Sequence, residues 1–208
     1  PCIFYNGALV RDHEAGRDLF SLTLPRGLLR EIYDVFSNAP VHPLFYRDDR
    51  LYCLEQTFPV LEYAEEQRLQ VEAIPDPDDF LRLGAFVKSL FIGHPATLPL
   101  VRAELEAAVQ PDARLVMTRT DYLELIPAAA SKGVALRYLC EHLGVPLSQT
   151  IAVGDQENDL EMIEAAGLGV AMPDAPARVR AAAGRVAPSA RDGGLLALFR
   201  ELMPERFV

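Results

Sequence analysis

The sequence predicts an α/β protein built of two units, a parallel-sheet core and an inserted α+β unit. Three observations carry this. After Pro127, short apolar runs alternate with amphipathic stretches of helical period, the pattern of a parallel sheet with crossover helices. Between residues 25 and 126 the order is α-β-β-α-β-α-β-α-β-β, a mixed sheet whose helices are expected on one face. The opening apolar run, Pro1 to Tyr5, ends in Asn6-Gly7 and is assigned with the tail. The expected division is therefore 1–24 with 127–208 for the core, and 25–126 for the inserted unit.

The elements follow from local signals. Residues 8–23 form a loose hairpin bending near Asp12 and Gly16. Leu24-Pro25 opens a helix whose Leu28, Leu29, Ile32, Tyr33 and Phe36 recur at helical spacing. Strands are expected at 41–46 and 50–54, a helix at 57–68, and a strand at 70–74. Asp76-Pro77-Asp78 starts a short helix, and 86–92 is a strand containing Lys88. A helix over 95–109 and strands at 113–117 and 121–126 complete the insert. Ser131 is a good N-cap for a helix over 132–143, which stops at Gly144 with Pro146 beyond. Strand 150–153, an acidic turn, a helix to Ala166, strand 168–172, helix 174–183, a short strand near 185–187 and a last helix from Gly193 or Gly194 to Leu202 form the tail.

Bulk properties exclude several classes. The chain has 208 residues, 50% hydrophobic and 24% charged, ordinary for a globular protein. Its formal net charge of -10, with no Lys/Arg cluster, argues against a nucleic-acid partner. No apolar stretch is long enough to span a membrane, so no membrane partner is expected. Cys2, Cys53 and Cys140 are far apart and form no CxxC pair, which suits buried thiols in a reducing cytoplasm. Oligomeric state leaves no trace in the sequence. The chain lacks an initiator Met and begins inside a strand, so the core is expected to be incomplete at its N-terminus.

The strongest chemical signal is Ile151-Ala152-Val153-Gly154-Asp155-Gln156-Glu157-Asn158-Asp159. An apolar strand ends in Gly-Asp, and Asn-Asp follows three residues later at a helix start. In parallel sheets ligands bind at the carboxyl ends of strands. Two carboxylates and an amide there offer the hard oxygens that Mg²⁺ prefers. A plain helix N-cap accounts for one Asp in such a place, but not for the whole run. The second signal is Ser131-Lys132-Gly133. A Lys in a first helical turn opposes the helix dipole, yet both features favour a bound phosphate.

These motifs, with Ala166-Gly167-x-Gly169-Val170-Ala171-Met172, Asp192-Gly193 and Tyr5-Asn6-Gly7-Ala8, resemble the Cof-type phosphatases of the haloacid dehalogenase superfamily. The resemblance covers nearly the whole chain. It implies a Rossmann-like core with an inserted C2B-type cap that closes over it. It implies a Mg²⁺-dependent phosphomonoester hydrolase acting on a small phosphorylated metabolite, such as a sugar phosphate, through an aspartyl-phosphate. It assigns Lys132 to neutralising the phosphate and nucleophile, Asp155 and Asp159 to the metal, Asn158 to the transferred phosphoryl group and Asn6 to the cleft beside the phosphate. Lys132 and Asn158 are thereby the catalytic candidates.

One departure is large. The family's Asp-x-Asp-Gly-Thr strand end, which supplies nucleophile and acid/base, is absent, as is the Ser/Thr before Asn-Gly-Ala. The one Asp-x-Asp, Asp76-Pro77-Asp78, sits in the insert. This chain alone is therefore expected to be inactive. A phosphomutase of the phosphomannomutase type, or a non-catalytic phosphate-ligand-binding relative, is the alternative. Lys88 in the insert faces either substrate or solvent; His94 and Arg119 are assigned to solvated surface.

Overall fold

The structure, a computed structural model, describes residues 1–206. It divides into two units, one of residues 1–15 with 131–208 and the other of residues 16–130.

In the first unit, β1 (Cys2–Phe4) runs antiparallel to β2 (Leu9–Asp12), with Ile3 opposite Val10. The second unit opens with β3 (Arg17–Ser21) and α1 (Leu28–Phe36). Then come β4 (Val41–Arg47), β5 (Arg50–Cys53), α2 (Phe58–Gln67), β6 (Val71–Ala73) and α3 (Pro77–Arg82). β7 (Lys88–Gly93), α4 (Leu98–Val109), β8 (Ala113–Arg119) and β9 (Tyr122–Pro127) close it. Its six-stranded sheet has the order β6-β5-β4-β7-β9-β8 and is antiparallel except for the β5–β6 pair.

One face of that sheet carries the core. Phe36 of α1, Phe80 of α3 and Val101 and Leu105 of α4 pack on Phe45, Phe91, Leu123 and Leu125. Phe45 meets Phe80 edge-on, with ring centroids 4.7 Å apart, an arrangement aromatic rings favour. Asp76 is the N-cap of α3, its Oδ1 accepting the Asp78 and Asp79 N–H groups. The Asp-x-Asp pair is thus a helix start.

The helices do not all lie on one face. Side chains alternate along a strand, so Tyr46 and Tyr122 point away from the face that carries Phe45 and Leu123. Tyr63 of α2 bonds the Tyr46 hydroxyl and packs edge-on against Tyr122, with centroids 5.5 Å apart. α2 therefore covers the opposite face. Lys88 lies on this face too, and it is neither solvated nor open to a ligand. It is buried and paired with Glu124 at 2.9 Å. His94 and Arg119 are exposed, Arg119 paired with Asp121.

The first unit resumes with α5 (Lys132–Leu143), bounded as the sequence predicts. Ser131 has extended backbone and its Oγ accepts the Val134 N–H at 3.0 Å. Gly144 ends the helix with φ +65°, a left-handed cap that suits glycine. β10 (Ile151–Gly154), α6 (Leu160–Ala165), β11 (Leu168–Ala171), α7 (Ala177–Ala182), β12 (Arg185–Val186) and α8 (Gly194–Leu202) follow. β10, β11 and β12 are parallel neighbours in that order. Ala171 packs with Ile163 of α6 and Val179 of α7, whereas the adjacent Val170 packs with Leu198 of α8. Helices thus flank both faces, as a parallel sheet requires.

Candidate active site

β10 ends at Gly154, and its successor Asp155 stands at the carboxyl edge of the parallel sheet. Glycine is required there. A Cβ on Gly154 would lie 2.3 Å from the Cβ of Asp159, so any larger residue would push the acidic loop off the strand. The loop then folds back in one 3₁₀ turn, Glu157–Asp159, before α6.

Asp159 is the organising group. It is buried, 3% exposed. Its Oδ2 accepts the backbone N–H groups of Asp155 at 2.9 Å and Gln156 at 3.0 Å. Its Oδ1 accepts a bond from Lys132 Nζ at 2.5 Å. Gln156 completes a capping box by accepting the Asp159 N–H with its side chain. Its Nε2 also stands 3.5 Å from Asp155 Oδ2, a weak contact. Gln156 thus braces the acidic loop, a role that the motif reading misses; its spacing of three from Asp159 is the signal that could have found it.

Lys132 opens α5 against the helix dipole. Asp159 supplies the compensating charge from the neighbouring α6 start. The two helices approach closely because Gly133 faces α6; a Cβ there would sit 2.6 Å from the Glu161 carbonyl oxygen.

Asn6 and Asn158 are joined, Asn158 Nδ2 donating to Asn6 Oδ1 at 2.9 Å. Asp155 is exposed. A cavity of about 330 Å³ is lined by Asn6, Lys132, Asp155 and Asp159 over an apolar floor that includes Val153 and Met162. Of the predicted site residues, four line this cavity, and Asn158 is bound to one of them.

A parallel α/β core with an acidic loop and a lysine at the carboxyl edge of a strand defines the class of fold. Residues 1–199 match the haloacid dehalogenase-like hydrolase family, and the chain belongs to that family. The provisionally named phosphatase YxeH of Bacillus subtilis (strain 168) is 31% identical over 206 residues, covering 97% of this chain and 75% of its own. The HMP-PP phosphatase of Yersinia pseudotuberculosis serotype O:1b is 32% identical over 172 residues, 82% of this chain and 61% of its own. The crystal structure of a haloacid dehalogenase-like hydrolase from Bacteroides thetaiotaomicron matches with a TM-score of 0.84 at 26% identity, covering 96% of this chain and 75% of its own. The chain thus spans between 61% and 75% of these relatives' length. The Cof-type resemblance and the α/β fold expected from the motifs agree with these matches. No helix among the described residues is long and apolar enough to cross a membrane.

Proposed function

We propose that the complete protein is a Mg²⁺-dependent phosphomonoester hydrolase acting on a small phosphorylated metabolite such as a sugar phosphate. The observation that carries it is the arrangement of Lys132, Asp159 and Asp155 around one cavity at the carboxyl edge of β10.

The donor set fits Mg²⁺. The Asp155 carboxylate is exposed, and its contact with Gln156 is weak. Asn158 Oδ1 is buried with no partner among the described residues. Such a site suits an ion that keeps waters and takes one or two carboxylates plus phosphate oxygens. Asp155 is the direct ligand in this proposal, and Asp159 orders the loop and the ion's waters. When bound, Mg²⁺ supplies charge screening that eases attack on the phosphoryl group.

The chain's own residues do the rest. An ammonium has three donors. Asp159 takes one of those on Lys132, leaving others for phosphate oxygens. The reaction calls for an aspartate oxygen to bond to phosphorus as the ester oxygen leaves with a proton, and for water then to release phosphate. No Asp-x-Asp-Gly-Thr run occurs in these 208 residues, so the nucleophile is assigned to sequence beyond them and this chain alone to inactivity. The test is p-nitrophenyl phosphate hydrolysis by the full-length protein with Mg²⁺. Asp155→Ala is expected to abolish it, and full activity of that variant would overturn the site.

A further inference from the structure

Asn158 Nδ2 donates to Asn6 Oδ1 across 152 positions of sequence, and the backbone that presents Asn6 is strained. Tyr5, Asn6 and Gly7 have φ of +51°, +54° and +93°. Asn enters this left-handed region with little penalty, but a Tyr there costs about 1–3 kcal/mol. What holds the run is Gly7. A Cβ on Gly7 would stand 2.0 Å from the Ser131 carbonyl oxygen and 2.8 Å from the Lys132 nitrogen. The turn is therefore pressed against the start of α5, the helix that carries Lys132. Its position fixes where the Asn6 amide can be.

At the other end of the bond, the Asn158 amide has a buried Oδ1 with no partner among the described residues. Leaving such an oxygen unmatched costs about 1–3 kcal/mol, an unsatisfied acceptor one residue before Asp159 at the edge of the cavity. With Oδ1 buried and unmatched, the bond from Nδ2 to Asn6 is the contact that fixes the plane of this amide.

We propose that Asn6 is a positioning residue: although it lines the cavity, it acts through Asn158, whose amide it holds in place beside the phosphoryl site. The proposal rests on the phosphohydrolase reading above, and it replaces the expectation that Asn6 binds phosphate directly. It explains why the strained turn, the α5 start and the acidic loop meet at one point.

A double-mutant cycle on the full-length protein tests it, reading orthovanadate affinity with Mg²⁺ and kcat/KM for p-nitrophenyl phosphate. Asn6→Gly deletes the amide and still accepts a positive φ. Asn6→Gly and Asn158→Ala are each expected to lose about tenfold in both quantities, and the double variant no more than Asn158→Ala alone. The Asn158 side-chain NH₂ signal in ¹H–¹⁵N spectra is expected to shift in Asn6→Gly and to keep its protection in Asn6→Asp, which retains the acceptor. Losses that multiply in the double variant overturn the proposal, as does Asn6→Gly with wild-type affinity beside a weakened Asn158→Ala. Loss of the native amide spectrum in Asn6→Gly assigns Asn6 to folding and also overturns it. If Asn158→Ala is unaffected while Asp155→Ala is dead, the positioning role falls and the phosphohydrolase stands. A fully active Asp155→Ala removes the phosphohydrolase site itself.

Discussion

Lys132 Nζ lies 2.5 Å from Asp159 Oδ1, and the two side chains differ sharply in burial, 30% exposed for Lys132 and 4% for Asp159. The pair therefore has a structural end and a working end. Asp159 sits inside, tied also to two backbone N–H groups, and Lys132 emerges into the cavity.

Removing the inner partner should cost more than removing the outer one. Asp159→Ala leaves two backbone donors and an ammonium without their acceptor, an expected loss of about 2–4 kcal/mol after allowing for the partial exposure of Lys132. Asp159→Asn keeps an acceptor for the N–H groups and should lose about 1–2 kcal/mol. Lys132→Met should lose less than Asp159→Ala. Urea unfolding of the three variants measures this, and equal losses for Asp159→Ala and Lys132→Met would contradict it.

Two glycines in the same unit separate strain from collision. Gly144 has φ +65° with nothing within 4 Å of where a Cβ would stand, whereas Gly7 has φ +93° and a backbone oxygen 2.0 Å from that point. Gly144→Ala should cost about 1 kcal/mol, the ordinary left-handed penalty. Gly7→Ala adds a clash that must move backbone, so it should cost at least about 3 kcal/mol. For a chain of this size the melting temperature falls by about 2–4 °C per kcal/mol. Similar melting points for the two variants would show that the turn at Gly7 adapts without resistance.

How much of this is legible in the sequence depends on distance along the chain. The bounds of α5 can be read to the residue because Ser131 and Gly144 are local signals with local causes. Asp155 and Asp159 are neighbours within one turn, so their spacing carries the loop. Lys132 is legible as a misplaced cation, but its partner is not, because nothing in the sequence says that α5 and α6 lie side by side. The Asn6–Asn158 bond is further from view still, since it joins residues near opposite ends of the chain. The side of the sheet that α2 covers departs from expectation for a related reason. Tyr63 meets Tyr46 and Tyr122, which belong to strands brought together only through the order β4-β7-β9.

That same order hides a buried ion pair. Lys88 and Glu124 meet across β7 and β9, where Glu124 stands opposite Leu90. Lys88 Nζ also lies 4.5 Å from the Tyr46 ring centroid, and Thr118 Oγ1 donates to Glu124 Oε1 at 3.3 Å. Breaking one side of a buried pair leaves a charge without its counterpart, so Lys88→Met alone should lose about 3–5 kcal/mol. Lys88→Met with Glu124→Leu should recover most of that loss, because two fitted apolar groups need no desolvation of charge. Urea unfolding of single and double variants decides it. A double variant as unstable as the single one would mean that the polar cluster, and not the unmatched charge, sets the cost.

Cys53 ties the stability of the fold to pH. Its thiol is fully buried. Burial pushes its pKa up to about 11, and the negative charge of Glu55 acts in the same direction. In the unfolded chain a thiol titrates near 8.5. The folded state thus favours the protonated form. Its stabilising effect is fully present below the unfolded pKa and is lost as pH rises toward about 11. The urea midpoint should fall over that window, and it should fall less in Cys53→Ala. Cys2 is exposed and Cys53 and Cys140 are buried. At about pH 8 iodoacetamide should therefore label Cys2 alone in the native protein and all three cysteines in urea. Labelling of Cys53 as fast as Cys2 under native conditions would show that β5 opens readily, and the pH window would then have to be assigned to another group.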